Sequence, residues 1–163
     1  MATVATLNVS SRSTDSRARR LSNFSYDPFV LDGEYIVSVE GFIQGIKFPE
    51  DHPARLRAFQ LFGIKAKRSG RGAKRQFVWW TGQIISYGSP EHYALIERAI
   101  RAKLDQNPDA MHALLATKGM VLIHDYDPGR PAPGRIESPY TSLPAEVFCD
   151  ILSRIRYENL DPQ

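Results

Sequence analysis

The sequence predicts a mainly helical, single compact domain with two small β-hairpins, and three observations lead there. Apolar residues recur three or four positions apart in several stretches, as they do when one face of a helix is buried. Capping residues and prolines mark where those stretches begin: Ser38 before the first, Ser89-Pro90 before the longest and Asn107-Pro108 before another. Two dipeptides, Asp32-Gly33 and Thr81-Gly82, each divide a pair of short β-prone runs, the pattern of a hairpin turn in which glycine takes positive φ.

With 163 residues and 42% hydrophobic content, the chain suffices for one domain with a core and a pocket. It has no apolar run near the ~18 residues that span a membrane, and no apolar leader segment at its start. A soluble, cytoplasmic protein with no membrane partner is expected. The one cysteine, Cys149, falls in an apolar helical pattern and reads as a core residue. The four histidines are scattered, so no metal site and no cofactor is expected.

Residues 1–20 are rich in Ser, Thr and Ala and end in Arg17, Arg19 and Arg20. That composition buries too little apolar surface to order itself and reads as a mobile basic arm. A domain at 21–157 and a short tail at 158–163 follow. Phe29 to Val37 reads as the first hairpin, leading straight into a helix from Ser38 to Phe48 that Pro49 stops.

On that helix Glu40, Gln44 and Lys47 stand at i, i+4 and i+7, within roughly 60° of one another. Val39, Ile43 and Ile46 flank this stripe on one side, Gly41, Gly45 and Phe48 on the other, and Phe42 lies opposite. So narrow a polar stripe belongs on a buried helix and points into an enclosed wet pocket. The glycines leave room for a ligand or a neighbouring backbone. The alternative is a Glu40 to Lys47 network that satisfies only itself.

A second helix is predicted from Pro53 to Ala66, running into a basic loop at 65–75 that holds Lys65, Lys67, Arg68, Arg71, Lys74 and Arg75. Such a loop suits an anion, or serves only solubility. The second hairpin spans Gln76 to Ser86 and contains Trp79-Trp80; in a strand one of the two faces the core while its neighbour can stack on a base or ring. A long helix begins at Ser89-Pro90 and another at Asn107-Pro108, followed by a short apolar strand at 120–123 and a Pro-rich loop to Ser142. The last helix is predicted from Pro144 to Arg156.

Ser22-Asn23-Phe24, Phe29-Val30-Leu31-Asp32-Gly33 and Ser38-Val39-Glu40 with Gln44, Lys47 and Phe48 resemble the opening signature of the NADAR family. Arg98 to Lys103 through Leu114 to Thr117 is similar to its second conserved block, and Gly70-Arg71 matches a Gly-Arg at the end of its second helix. The resemblance covers about residues 21–156. Two departures stand out: Gly41 occupies a position where the family commonly has His, and no Trp-Gly follows the acids after the apolar strand.

The resemblance implies an N-glycosidase, acting on ADP-ribosyl-guanine in nucleic acid or on a free phosphoribosyl intermediate of riboflavin biosynthesis. Glu40 is the expected carboxylate at the reacting carbon, and its first-turn position favours the charged form by about 0.3–1 kcal/mol. Asp127 is the expected second acid, with Asp125 and Glu137 also in range. Asn23, Gln44, Lys47, Arg71 and Trp80 are the expected substrate contacts, with Trp79 and Tyr87 as alternatives to Trp80 and an Asx-turn as the alternative role of Asn23. The basic arm and loop would meet the nucleic acid. Two other readings are a pocket that binds ADP-ribose or a nucleotide without turnover, and a nucleic-acid-binding protein that uses the arm, the loop and an exposed tryptophan.

Overall fold

Helices dominate the computed structural model, which describes residues 3–125, 137–138 and 140–160. Where one domain was expected, the described chain divides into two units, residues 23–108 and residues 1–22 with 109–163.

The first unit, residues 23–108, opens with the predicted hairpin. Strands β2 (Phe29–Leu31) and β3 (Glu34–Ile36) pair antiparallel with Val30 opposite Tyr35. Asp32 and Gly33 take φ of 48° and 84°, the two positive values that a tight two-residue hairpin requires. Helix α2 (Val39–Gly45) follows at once and is buried along its whole length. It packs against α3 (Pro53–Phe59), α4 (Gly63–Ser69) and α5 (Pro90–Gln106). Phe42, opposite the polar stripe, meets Phe29, Phe59 and Trp80 at ring distances of 6.5, 6.3 and 5.1 Å. This aromatic cluster is the apolar counterpart of the polar row on the other side of α2.

The helix predicted over Pro53 to Ala66 is broken into α3 and α4. Gly63 takes φ of +63° at the break, so the chain turns between residues 60 and 63 and the apolar spacing continues across the bend. Lys65, Lys67 and Arg68 consequently stand on a helix, and only the cations from Arg71 onward lie beyond it. The second hairpin is as expected, β4 (Phe77–Trp80) against β5 (Gln83–Ser86), with Thr81 and Gly82 at φ 46° and 78°.

The second unit contains the segment expected to be a mobile arm. Instead, β1 (Thr6–Asn8) pairs in parallel with β6 (Val121–Ile123), Leu7 opposite Leu122, and α1 (Ser16–Leu21) follows, capped by Asp15. Leu7, Val9, Ala18 and Leu21 are buried. A partner strand so far along the chain supplies the order that local composition lacks. Two of the expected free cations are also engaged: Arg17 pairs with Asp15 at 2.7 Å and donates to the Ala116 carbonyl, and Arg19 donates to the Ser13 carbonyl. Helices α6 (Pro108–Leu115) and α7 (Ala145–Leu160) supply the rest, α7 extending past the tail boundary expected at 158. Buried Cys149 lies on α7, and burial pushes its thiol up to about 11. No helix among the described residues is long and apolar enough to cross a membrane.

Candidate functional site

The first turn of α2 is anchored so that Glu40 is held from both sides. Ser38 Oγ accepts the Gly41 N–H at 2.9 Å and donates to the Leu61 carbonyl at 2.7 Å. The Asn23 carbonyl accepts the Glu40 N–H at 2.9 Å. These bonds satisfy helix-end donors that would otherwise be orphaned in the interior. Asn23 therefore stands beside Glu40, and the contact made there is through its backbone.

The other end of α2 is fixed as firmly. Trp79 N–H donates to the Ile46 carbonyl at 2.9 Å, and the buried Arg55 guanidinium donates to the carbonyls of Phe48 and Trp79 at 3.1 and 2.9 Å. Lys47 is bracketed by these anchored carbonyls. The predicted stripe thus becomes a rigid row.

Within the row, Gln44 Nε2 donates to Glu40 Oε1 at 2.8 Å, and Lys47 Nζ donates to Gln44 Oε1 at 2.8 Å. Chemistry sets the amide orientation, since a carboxylate needs a donor and an ammonium needs an acceptor. Glu40, Gln44 and Lys47 are each less than a tenth exposed. Glu40 Oε2 takes no hydrogen bond among the described residues, so one carboxylate oxygen is tied to the row and the other is not.

Burial dominates the electrostatics. It raises the Glu40 pKa above the ordinary carboxylate value, against the Gln44 hydrogen bond and the charges of Lys47 and Lys67, which act to lower it. This reverses the expectation drawn from helix position alone, because loss of hydration outweighs a helix-end effect of about 0.3–1 kcal/mol. Burial also lowers Lys47 to about 8, although the Glu40 charge pulls it up.

The two helix glycines open no space for a ligand. A Cβ on Gly41 would stand 2.5 Å from the Ala58 carbonyl oxygen and 2.8 Å from that of Leu61, while one on Gly45 would collide with the Phe59 ring. They admit the neighbouring helix, and the Gly41 contacts leave no space for a histidine at that position.

Gly70 does approach the row. A side chain there would run into the Gln44 carboxamide, which places the Gly70-Arg71 corner over the middle of the stripe. Arg71 is exposed beside it, and Lys67 and Arg75 are near enough for their charges to act on Lys47.

Trp80 is corrected from a substrate contact to a core residue. It is 3% exposed, packs edge-on against Phe42 and Phe59, and donates its indole N–H to Asp32 Oδ2 at 2.7 Å. The aromatic residue beside the row is Tyr87, whose ring centroid lies 5.9 Å from Lys47 Nζ. Tyr87 follows a strand end, where spacing alone does not show which ring turns inward. Buried His92, in contact with Tyr87 at 4.9 Å, carried no sequence signal beyond its type.

Asp127 lies outside the described residues. Of the other two acids considered, Glu137 accepts the Ala145 N–H at 2.9 Å and so caps α7, and Asp125 has its backbone bonded on both sides by the Asn8 carboxamide. Among the described residues, no three His, Cys, Asp or Glu side chains are grouped as metal ligands would be.

Comparison with known proteins bears on the whole chain. The family described as bacteriophage protein GP30.3 matches residues 16–157. The chain is 34% identical over 140 residues to an uncharacterized 17.1 kDa protein of the Gp30-rIII intergenic region of enterobacteria phage T4, covering 83% of this chain and 88% of that one. In fold it is similar to the NMR structure of the E. coli protein YbiA, with a TM-score of 0.64 over 100% of this chain and 92% of the other; at 19% identity this is a likeness of fold.

Proposed function

The chain belongs to the bacteriophage protein GP30.3 family, a NADAR-type family, and from that membership we propose that it hydrolyses the N-glycosidic bond between a ribosyl group and a nitrogenous leaving group. The observation that carries this reading is the buried row in which Lys47, through Gln44, orients one oxygen of Glu40 and leaves the other unbonded.

As the nitrogen departs with its bonding electrons, positive charge develops on C1 and the ring oxygen. A desolvated, ionised Glu40 stabilises that charge more strongly than a carboxylate in water, or takes C1 as a covalent adduct. Water then supplies the oxygen that ends on C1, one of its protons passing to a second carboxylate, for which Asp127 is the proposed group, and from there to the departed nitrogen. Lys47 and Arg71 are assigned to phosphate, and Asn23 and Gln44 to orienting the ribosyl group.

Of the two substrate forms, ADP-ribosyl-guanine in nucleic acid is preferred over the free phosphoribosyl intermediate. Supporting it are the exposed cations Lys65, Lys67, Arg68, Arg71, Lys74 and Arg75 and the half-exposed pair Tyr26 and Phe62, whose rings meet at 5.3 Å. Cations with an accessible aromatic surface suit a single strand. Arg17 and Arg19 are engaged within their own unit and are not part of this reading.

The test is a side-by-side hydrolysis assay of both substrates at low and moderate salt, with the intact protein and with a variant neutralised at Lys65, Arg68 and Lys74. Activity on modified nucleic acid that falls with salt and with charge removal is expected. Salt-insensitive cleavage of the free intermediate alone would overturn the polymer preference. Turnover of neither substrate, despite binding, would leave a binding module.

A further inference from the structure

Two rings that lie far apart in the chain meet on the surface of the unit formed by residues 23–108. Tyr26 and Phe62 have centroids 5.3 Å apart at an interplanar angle of 70°, and they are 53% and 52% exposed. An unbroken helix over 53–66 would have set Phe62 on the same face as Phe59, three positions earlier. The bend at Gly63 comes first, so Phe59 is buried and Phe62 is turned outward. Exposed rings that cluster, unlike a single one, mark a binding surface.

The pair is held in place by backbone bonds on either side. The Gly63 N–H donates to the Phe24 carbonyl at 3.0 Å, joining the two segments next to the rings, and the Asp27 N–H donates to the Val37 carbonyl at 3.0 Å. A third ring adjoins them. Tyr35 is 59% exposed, and desolvation, the charge of Tyr26 and a hydrogen bond with Tyr26 raise its phenol above the ordinary value.

Helix α4 links this surface to the Glu40 row. Phe62, its N-cap, follows Leu61, whose carbonyl accepts the Ser38 hydroxyl that caps α2, and Tyr26 follows closely on Asn23, whose carbonyl accepts the Glu40 N–H. At the other end Gly70 stands over Gln44. The helix between spans about 10–12 Å, which a single strand covers in about three nucleotides at the ~3.4 Å stacked rise and in fewer when extended. Residues 60–75 hold six cations and no acid, and Lys65 and Arg68 are exposed on α4 with no ion pair among the described residues. Such a charge repels a second copy of the same face and attracts a polyanion, while the rings offer π-faces to bases that have lost a stacking neighbour.

We propose that Tyr26 and Phe62 are a stacking platform for an unpaired nucleobase a few positions from the modified guanine, with Lys65 and Arg68 on the phosphates between. The platform accepts any base and requires a single strand. This deepens the nucleic-acid substrate reading and rests on it.

The experiment is NMR of the aromatic side chains of the full chain, titrated with a short single-stranded oligonucleotide of mixed sequence and with an abasic strand of equal length. The base-bearing strand is expected to move the Tyr26 and Phe62 ring signals, and the abasic strand to leave them in place. Substitution then separates stacking from charge. Tyr26→Ala with Phe62→Ala should weaken binding of the oligonucleotide about five- to hundredfold and leave its salt dependence unchanged, because stacking releases no counterion. Lys65→Gln with Arg68→Gln should instead flatten the slope of log affinity against log salt by about 1.4, since each phosphate contact on a single strand contributes ~0.7.

If both strands shift the α4 amides but neither moves the rings, charge alone holds the strand, this inference is overturned and the polymer reading stands. Ring shifts that follow protein concentration without any strand would make the surface an interface between copies and overturn it too. If no strand binds at low salt, the platform and the preference for a polymer fail together, and cleavage of the free phosphoribosyl intermediate would still uphold the glycosidase. The wild-type titration decides the matter even if a variant does not fold.

Discussion

Gly70 lies against Gln44 so closely that a Cβ at position 70 would run into the Gln44 carboxamide. The φ of Gly70 is −82°, a value that any residue adopts, so the glycine is demanded by its neighbour and not by its own backbone. Gln44 makes both hydrogen bonds of the row, so the end of α4 presses on the one amide that links Glu40 to Lys47.

Gly70→Ala should therefore push Gln44 out of the row, destabilising the protein by about 1–3 kcal/mol as overpacking does and reducing turnover with it. Gly72 is the comparator: its φ is +87° and no atom lies near its missing Cβ, so alanine there costs about 1 kcal/mol of backbone strain and spares the row. Denaturation midpoints and turnover of the two variants check this. Equal turnover in both would mean that Gln44 has no part in the site.

Glu40→Gln retains shape and hydrogen-bonding capacity at a buried position. We expect folding and ligand affinity within about a factor of ten of the original, and turnover lower by about two orders of magnitude or more, as the proposed mechanism requires of a group that acts chiefly in the transition state. Single-turnover rates beside ligand titrations separate the two. Near-normal turnover would remove Glu40 from the mechanism.

The pH dependence has two limbs of opposite sign. Burial raises the Glu40 pKa above 4.5, so its carboxylate, which the proposed mechanism requires, appears only as pH rises through that raised value. Lys47 is lowered to about 8, so the ammonium is lost as pH rises through about 8, and on the proposed role of Lys47 the affinity for phosphorylated ligand is expected to fall with it. Turnover should be bell-shaped between these limits. Lys47→Ala should weaken phosphorylated ligands more than unphosphorylated ones and abolish the alkaline change in affinity. An alkaline limb that persists in this variant would assign it to another group.

Trp79 and Trp80 should separate by stability. Trp80→Ala empties a core position and should cost about 3–5 kcal/mol, whereas Trp79→Ala, on the half-buried face of the strand, should cost much less. Urea denaturation of the two variants is the measurement. A small loss at Trp80 would return it to consideration as a ligand contact.

The sequence by itself determined what depends on neighbours in the chain. Asp32-Gly33 and Thr81-Gly82 required hairpins because positive φ at both turn positions is local chemistry, and the 3.6-residue period alone put Glu40, Gln44 and Lys47 in one row. Tertiary structure decided whatever depends on residues far apart. Thr6–Asn8 became a strand only because Val121–Ile123 lies alongside, and an apolar spacing that ran on past Gly63 concealed the bend between α3 and α4. Gly41, Gly45 and Gly70 looked alike in the sequence, yet each meets a different obstacle: two carbonyls, a phenyl ring and an amide. The ionisation of Glu40 turned on the same distinction. A helix end favours its charge and can be read from position, but the burial that outweighs it is imposed by elements folded over α2, and no local pattern records which side chains those elements desolvate.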